Sequence, residues 1–217
     1  MNIDYKIYSD FFESDDTRNH VIEINGNIFD YNDQLKKVWL GKIRAYKVDW
    51  LGSLDTENAN IILDVDQYDE LCDISVELTN CFEELSERKW KKLGWDTPCC
   101  PCNFIIIDSV LINQKYRGYK AGLAAVHDLI KVFAIDCKFA ALHVFPLQFH
   151  QEFDFIPRCE KLNYLPKDRK ASIEKLKQHY QKLGFKSIST TNDMDIMVLN
   201  LEYCLPTLEK IGYKSLH

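Results

Sequence analysis

The sequence predicts a mixed α/β (α+β) domain, in which a mainly antiparallel central sheet contains one parallel pair joined through a helix. Three observations carry this expectation. The first 66 residues show strand-like apolar patterning between turn signals, and 103–112 and 138–145 are near-continuous apolar runs of strand length. Between those two runs, apolar residues recur at helical spacing. A strand, a helix and a second buried strand in that order are expected to form a βαβ unit with parallel strands and a right-handed crossover.

Taken in order, "HVIEI", "VWLGKIRAYKVDW" and "ANIILDV" are separated by "NGN" and "LGSLDTEN", which predicts an antiparallel meander over 1–66. The period then changes. Leu71, Ile74, Leu78, Cys81 or Phe82, and Leu85 fall at helical spacing and Gly94 offers a stop, so an added helix is expected within 67–98. Its acids, Asp64 to Glu87, precede its bases, Arg88 to Lys92. That order complements a helix dipole, and it also reads as an acidic wall for a cationic substrate. Leu123, Val126, Ile130 and Phe133 mark one face of the helix between the buried strands. A polar, proline-containing segment, 146–170, is long enough to be a functional loop or lid. Ile173, Leu176, Tyr180 and Leu183 line a further helix that Gly184 ends. "FKSIST" and "DIMVLNL" read as a closing strand pair, and 202–217 as a tail with a short helix. A single domain over 1–217, with its core in 99–201, accounts for all of these elements.

Composition narrows the function classes. The chain has 217 residues, 46% hydrophobic and 28% charged, with a formal charge of −6, so nothing steers it globally toward nucleic acid or an anionic membrane. Neither a signal peptide nor a membrane-spanning run is recognisable, and a cytoplasmic setting with reduced thiols is expected for the eight cysteines. Cys99 and Cys102 have the spacing of half a zinc knuckle, but no second half follows. A proline-bounded turn with small thiols is the expectation there, and no metal.

The chemistry concentrates where the first buried strand turns into the helix, "SVLINQKYRGYKAGLAAVHDLI". Such a bend exposes backbone N–H groups that have no intrahelical partner, and the helix dipole adds partial positive charge, a combination that binds phosphate. Gly118 and Gly122 permit a tight path, while Lys115, Arg117 and Lys120 add cations. Neither G-x-x-x-x-G-K-[ST] nor G-x-G-x-x-G is present.

"LINQKYRGYKAG" resembles the acyl-CoA pyrophosphate loop of the GCN5-related N-acetyltransferases (GNAT superfamily), written [QR]-x-x-G-x-[GA] after a strand. "HYQKLGFK" resembles their second signature, a tyrosine four residues before a Gly-Phe pair. The resemblance covers roughly 103–201. It implies a central sheet whose one parallel pair splays at the cofactor site, acetyl-CoA as co-substrate, and direct attack by a primary amine of a small molecule or peptide. It also implies that the Ile112 backbone binds the pantetheine arm, that amides from Arg117, Gly118, Tyr119, Lys120, Ala121 and Gly122 hold the pyrophosphate, and that Tyr180 serves the departing thiolate. The residue pattern alone also allows Tyr180 as a core tyrosine. Lys120 departs from the family's middle glycine, and the segments 67–98 and 146–170 are additions to it. The base is open between Asp108, which shares strand parity with Val110 and Ile112, and His143; Asp66 or Glu77 acting through water is a further option. Among acceptors the acidic segment favours a polyamine, an aminoglycoside-like amine or a basic peptide over tRNA. A different class of function is an inactive module of the same fold that holds CoA or a protein partner. Homodimerisation is open.

Overall fold

The computed structural model describes residues 1–8, 20–51, 74, 78, 87–96, 102–149, 165–188 and 194–214. Seven strands form one sheet: β1 (Asn2–Tyr8), β2 (Val21–Tyr31), β3 (Lys37–Val48), β4 (Phe104–Ile112), β5 (Phe139–His143), β6 (Lys186–Ser187) and β7 (Ile196–Asn200). Their spatial order is β1-β2-β3-β4-β5-β7-β6. Every neighbouring pair is antiparallel except β4 and β5, which are parallel. The described helices are α1 (Glu87–Leu93), α2 (Ala121–Phe133) and α3 (Arg169–Gln181), and α2 makes the β4 to β5 crossover.

Strand alternation sends side chains to two cores, one on each face of the sheet. On one face, Ile24, Ile28, Ile43, Ile105 and Ile107 pack against Leu123, Val126, Leu129 and Ile130 of α2, the helix face that the spacing predicts. Ile173, Leu176 and Tyr180 of α3 lean on this same cluster. On the other face, Tyr46, Val48, Phe104, Ile106 and Phe139 pack with Ile74, Leu78, Trp90 and Trp95. Fully burying each such side chain contributes about 1.5–3 kcal/mol before entropy is counted.

Two local readings differ from the structure. "NGN" is not a turn: β2 runs straight through Gly26, where a Cβ would stand 2.7 Å from Ile43 Cγ2 and 2.9 Å from Ile3 Cγ2. Flanking β-branched side chains close over that glycine, which makes it a strand residue. The turn falls at Asn32 instead, whose Oδ1 accepts from Gln34 N at 3.1 Å and Lys36 N at 3.0 Å. The tail, in turn, forms no helix among its described residues; residues 208–212 make consecutive turns that bury Ile211 in the α2-side core. The predicted strand "ANIILDV", most of the helix expected in 67–98, Asp66, Glu77, Cys99 and residues 150–164 of the long segment lie outside the described residues. No helix among the described residues is long and apolar enough to cross a membrane.

Candidate functional site

The site arises where β4 and β5 part. Their parallel ladder runs only from Phe104↔Phe139 to Ile107↔Leu142. At its closed end, the Phe104 and Phe139 rings stack at 5.0 Å, and Trp95 meets Phe139 edge-on at 6.3 Å. Asn103 ties this end further, accepting from Leu51 N at 2.9 Å and donating to Asp136 at 3.1 Å. Directly after Ile107 the β3/β4 register shifts: Arg44 pairs with Ser109 and Ala45 with Ile107, which leaves Asp108 as an extra residue. A bulge of this kind bends its strand and increases the local twist. β4 therefore stays with β3 as far as Ile112 while it swings away from β5.

The bulge also resets which groups point into the opening. Asn113 N donates to Leu40 O at 2.8 Å, extending the register Gly41↔Ile112 by one hydrogen-bonded pair. Backbone groups alternate along an antiparallel ladder, so Val110 and Ile112 turn theirs away from β3 and toward the gap. Close approach of β3 to this end of β4 requires Gly41, since a Cβ there would meet Leu111 O at 2.0 Å.

Beyond Ile112 the chain makes a 3-10 turn over Gln114–Tyr116, held by Asn113 Oδ1 accepting from Lys115 N at 3.1 Å. Gly118 has φ 96° and Lys120 has φ 65° and ψ 21°, after which α2 begins. Lys120 thus holds the left-handed conformation that usually selects glycine, at a cost of roughly 1–2 kcal/mol. No side chain caps α2, so its first amides are without a side-chain partner. Ala121 and Gly122, the first residues of α2, border a cavity of about 530 Å³ between the two strands, whose wall also includes Ile112, Lys120, His143, Lys175 and Tyr180.

The bend residues occupy different roles within this cavity. Arg117 turns its guanidinium back, Nε donating to Ile112 O at 2.9 Å, and so braces the strand end. Gly122 is buried and faces β4: a Cβ would lie 3.4 Å from both Val110 Cγ1 and Ile112 Cγ1. A methyl group there would only reach ordinary van der Waals contact with the strand, so packing alone does not demand this glycine. Tyr119, exposed, has its carbonyl held by Lys214 N of the tail at 3.2 Å. Positive charge at the bend comes from Lys120, with Lys175 and Lys182 supplied by α3 and its C-cap.

α3 starts at Asp168, which accepts from Ala171 N at 3.0 Å, and Gly184 (φ 98°) closes its C-terminal turn. It delivers Tyr180 to the cavity, with the ring set edge-on to Phe185 at 6.0 Å; among the described residues its hydroxyl has no hydrogen-bond partner. Burial pushes its phenol up to about 12. His179 lines the cavity beside it, the ring centroids 5.5 Å apart. Burial, then the positive charges of Lys120 and Lys182, bring this imidazole down to about 4. Sequence reasoning passed over His179, Lys175 and Lys182, although positions 175, 179 and 182 are spaced four and three apart and so share one helix face.

Of the two candidate bases, His143 ends β5 on the cavity wall, its ring 5.6 Å from that of Phe145. Asp108 also borders the cavity, but its carboxylate accepts from Arg44 Nε at 2.7 Å, with side-chain exposures of 6% and 23%. Simple alternation placed Asp108 with Val110 and Ile112, and the bulge corrects this. Ile105 and Ile107 share the α2 face with Val110 and Ile112, while Arg44, the partner of Asp108, alternates with Tyr46 and Val48 on the opposite face. Cys102 is buried and free.

His179 makes the fold pH-sensitive in a definite direction. An unfolded histidine takes up a proton near 6.5, whereas the folded one resists to about 4. The unfolded state therefore binds more protons between those values, and stability present above pH 6.5 is lost as pH falls toward 4. With partial solvent screening allowed for, the loss is on the order of 2 kcal/mol. Thermal melts from pH 7 to 4.5 should show a smaller decline for His179→Asn than for the native chain. An imidazole resonance of His179 titrating near 6.5 would contradict this.

Compared with known proteins, the chain matches no family model, no curated protein and no solved structure.

Proposed function

We propose that the chain is an acetyl-CoA-dependent N-acetyltransferase of the GCN5-related kind, which transfers an acetyl group to a primary amine of a small molecule or peptide. The observation that carries this reading is the parallel β4/β5 pair that ends at Ile107 and Leu142 and opens over a cavity bordered by the uncapped start of α2 and by Tyr180. The two sequence signatures, separated by more than fifty residues, meet across that one cavity.

In this reading the amides at the start of α2 and Lys120 hold the cofactor pyrophosphate, by hydrogen bonding and through the helix dipole. The backbone of Val110 and Ile112, turned toward the gap, receives the pantetheine arm, and the Ile112 N–H polarises the thioester carbonyl. The neutral amine attacks that carbonyl and the C–S bond breaks. The nitrogen loses its proton to His143, which stands on the wall at the open end of β5, while the carboxylate of Asp108 is retained by Arg44. Tyr180 donates a hydrogen bond to the departing sulfur.

A second reading, a CoA-binding module without turnover, is favoured by one contact: Arg117 already occupies the Ile112 carbonyl that the pantetheine amide would use. Two measurements decide. Acetyl-CoA at a hundred times its dissociation constant should stabilise the fold by about 2.7 kcal/mol, and CoA similarly, with ATP weaker; an ATP shift as large as theirs, or no shift with any of the three, would remove the cofactor assignment. Release of free thiol in the presence of a panel of polyamines, aminoglycosides and basic peptides then separates the enzyme from the module.

A further inference from the structure

Lys175, His179 and Lys182 share a face of α3 and its C-cap, and Lys120 meets them from the bend. Lys120, Lys175 and His179 border the same cavity, and Lys182, the C-cap of α3, lies near enough for its charge to act on Lys120. Among the described residues none of these three lysines has an ion-pair partner. Elsewhere the pattern is different: Lys177, on the same helix, is paired with Asp195, Lys138 with Glu202 and Lys47 with Asp136. Like charges at such range repel each other and lose hydration, so the arrangement becomes favourable when an anion enters it.

Counting charge indicates which anion. The uncapped α2 N-terminus, equivalent to roughly half a positive charge, together with Lys120 suits the pyrophosphate placed on the bend. Lys175 and Lys182 then remain as surplus cations. Coenzyme A carries one more anionic group, a phosphate monoester on its ribose with a charge of about −1.5 to −2 at pH 7. We propose, resting on the coenzyme A reading above, that Lys175 and Lys182, with Lys120 at their edge, form a second anion subsite that takes this ribose phosphate and so distinguishes coenzyme A from dephospho-coenzyme A. His179, which shares the cavity wall with Lys120 and Lys175 and feels the charges of Lys120 and Lys182, gains basicity once the phosphate neutralises them, and then donates to the same anion.

Calorimetric titration of the full chain with coenzyme A, dephospho-coenzyme A and inorganic phosphate tests the subsite. The native protein should bind coenzyme A at least about tenfold more tightly than the dephospho form. The double variant Lys175→Gln, Lys182→Gln should lose that preference while it binds dephospho-coenzyme A as the native chain does. Both lysines are solvent-exposed, so the fold is retained, which an unchanged melting temperature verifies. Equal native affinity for the two cofactors, or a variant weakened toward both by the same factor, overturns the subsite and leaves the cofactor reading standing. If neither cofactor binds, that reading falls and the subsite with it; saturation by inorganic phosphate alone at the affinity of coenzyme A also overturns it, since a free anion would then suffice.

Discussion

Tyr180→Phe is expected to lower turnover by about a hundredfold to a thousandfold, with little change in melting temperature or in coenzyme A affinity. The ring keeps its contacts with Phe185 and the α2-side core, and the hydroxyl that is removed has no partner among the described residues, so the folded state loses little. In the acetyltransferase reading, what is lost is a donor to the sulfur as negative charge develops on it. The raised phenol pKa, about 12, decides how this group acts. Handing its proton fully to a thiolate of ordinary pKa near 8.5 would be uphill by about 3.5 units, or roughly 5 kcal/mol. In the acetyltransferase reading Tyr180 would therefore act as a hydrogen-bond donor, with the thiolate leaving before it is protonated. A rate loss that is equal at pH 7 and pH 9 fits that role. Full turnover combined with a melting temperature lowered by several degrees would instead make Tyr180 a packing residue.

How far the sequence could be read depended on whether a feature is periodic or conditional. Leu123, Val126, Leu129 and Ile130 follow from helical spacing alone, and the apolar runs on either side of them do become the parallel pair, because burial on both faces demands continuous hydrophobicity. Gly26 shows the limit. An Asn-Gly-Asn triplet marks a turn in isolation, but whether it bends the chain depends on Ile3, Tyr5 and Ile43, which lie across neighbouring strands and cover it. The face of Asp108 was misread for a related reason: strict alternation cannot foresee a bulge that exists only relative to the register of β3. The cationic cluster combined both cases. Its α3 half was written in the spacing of 175, 179 and 182, but Lys120 joins it only through tertiary packing.

Arg44→Met should destabilise the fold by about 3–5 kcal/mol, because it strands a carboxylate that is almost wholly removed from water. For a domain of this size that corresponds to a fall in melting temperature of roughly 10 °C. Burial works against the Arg44 charge, and the Asp108 carboxylate, with smaller contributions from Tyr46 and Glu23, more than offsets it, raising the guanidinium pKa. Adding Asp108→Leu to Arg44→Met should recover most of the loss, since an apolar pair of similar volume is often as stable as a buried ion pair. The same pair settles what Asp108 does. The ion pair sits at the residue where β4 leaves β5, so its loss relaxes the bulge that keeps the cavity open. Asp108→Asn, which retains an acceptor for Arg44 Nε, should keep that geometry, and with it coenzyme A affinity and most of the turnover. Loss of turnover in Asp108→Asn with melting temperature and cofactor affinity intact would restore Asp108 as the base. Loss of affinity and stability together in Arg44→Met, with both recovered in the double variant, would establish the pair as the clasp that sets the angle between the two strands.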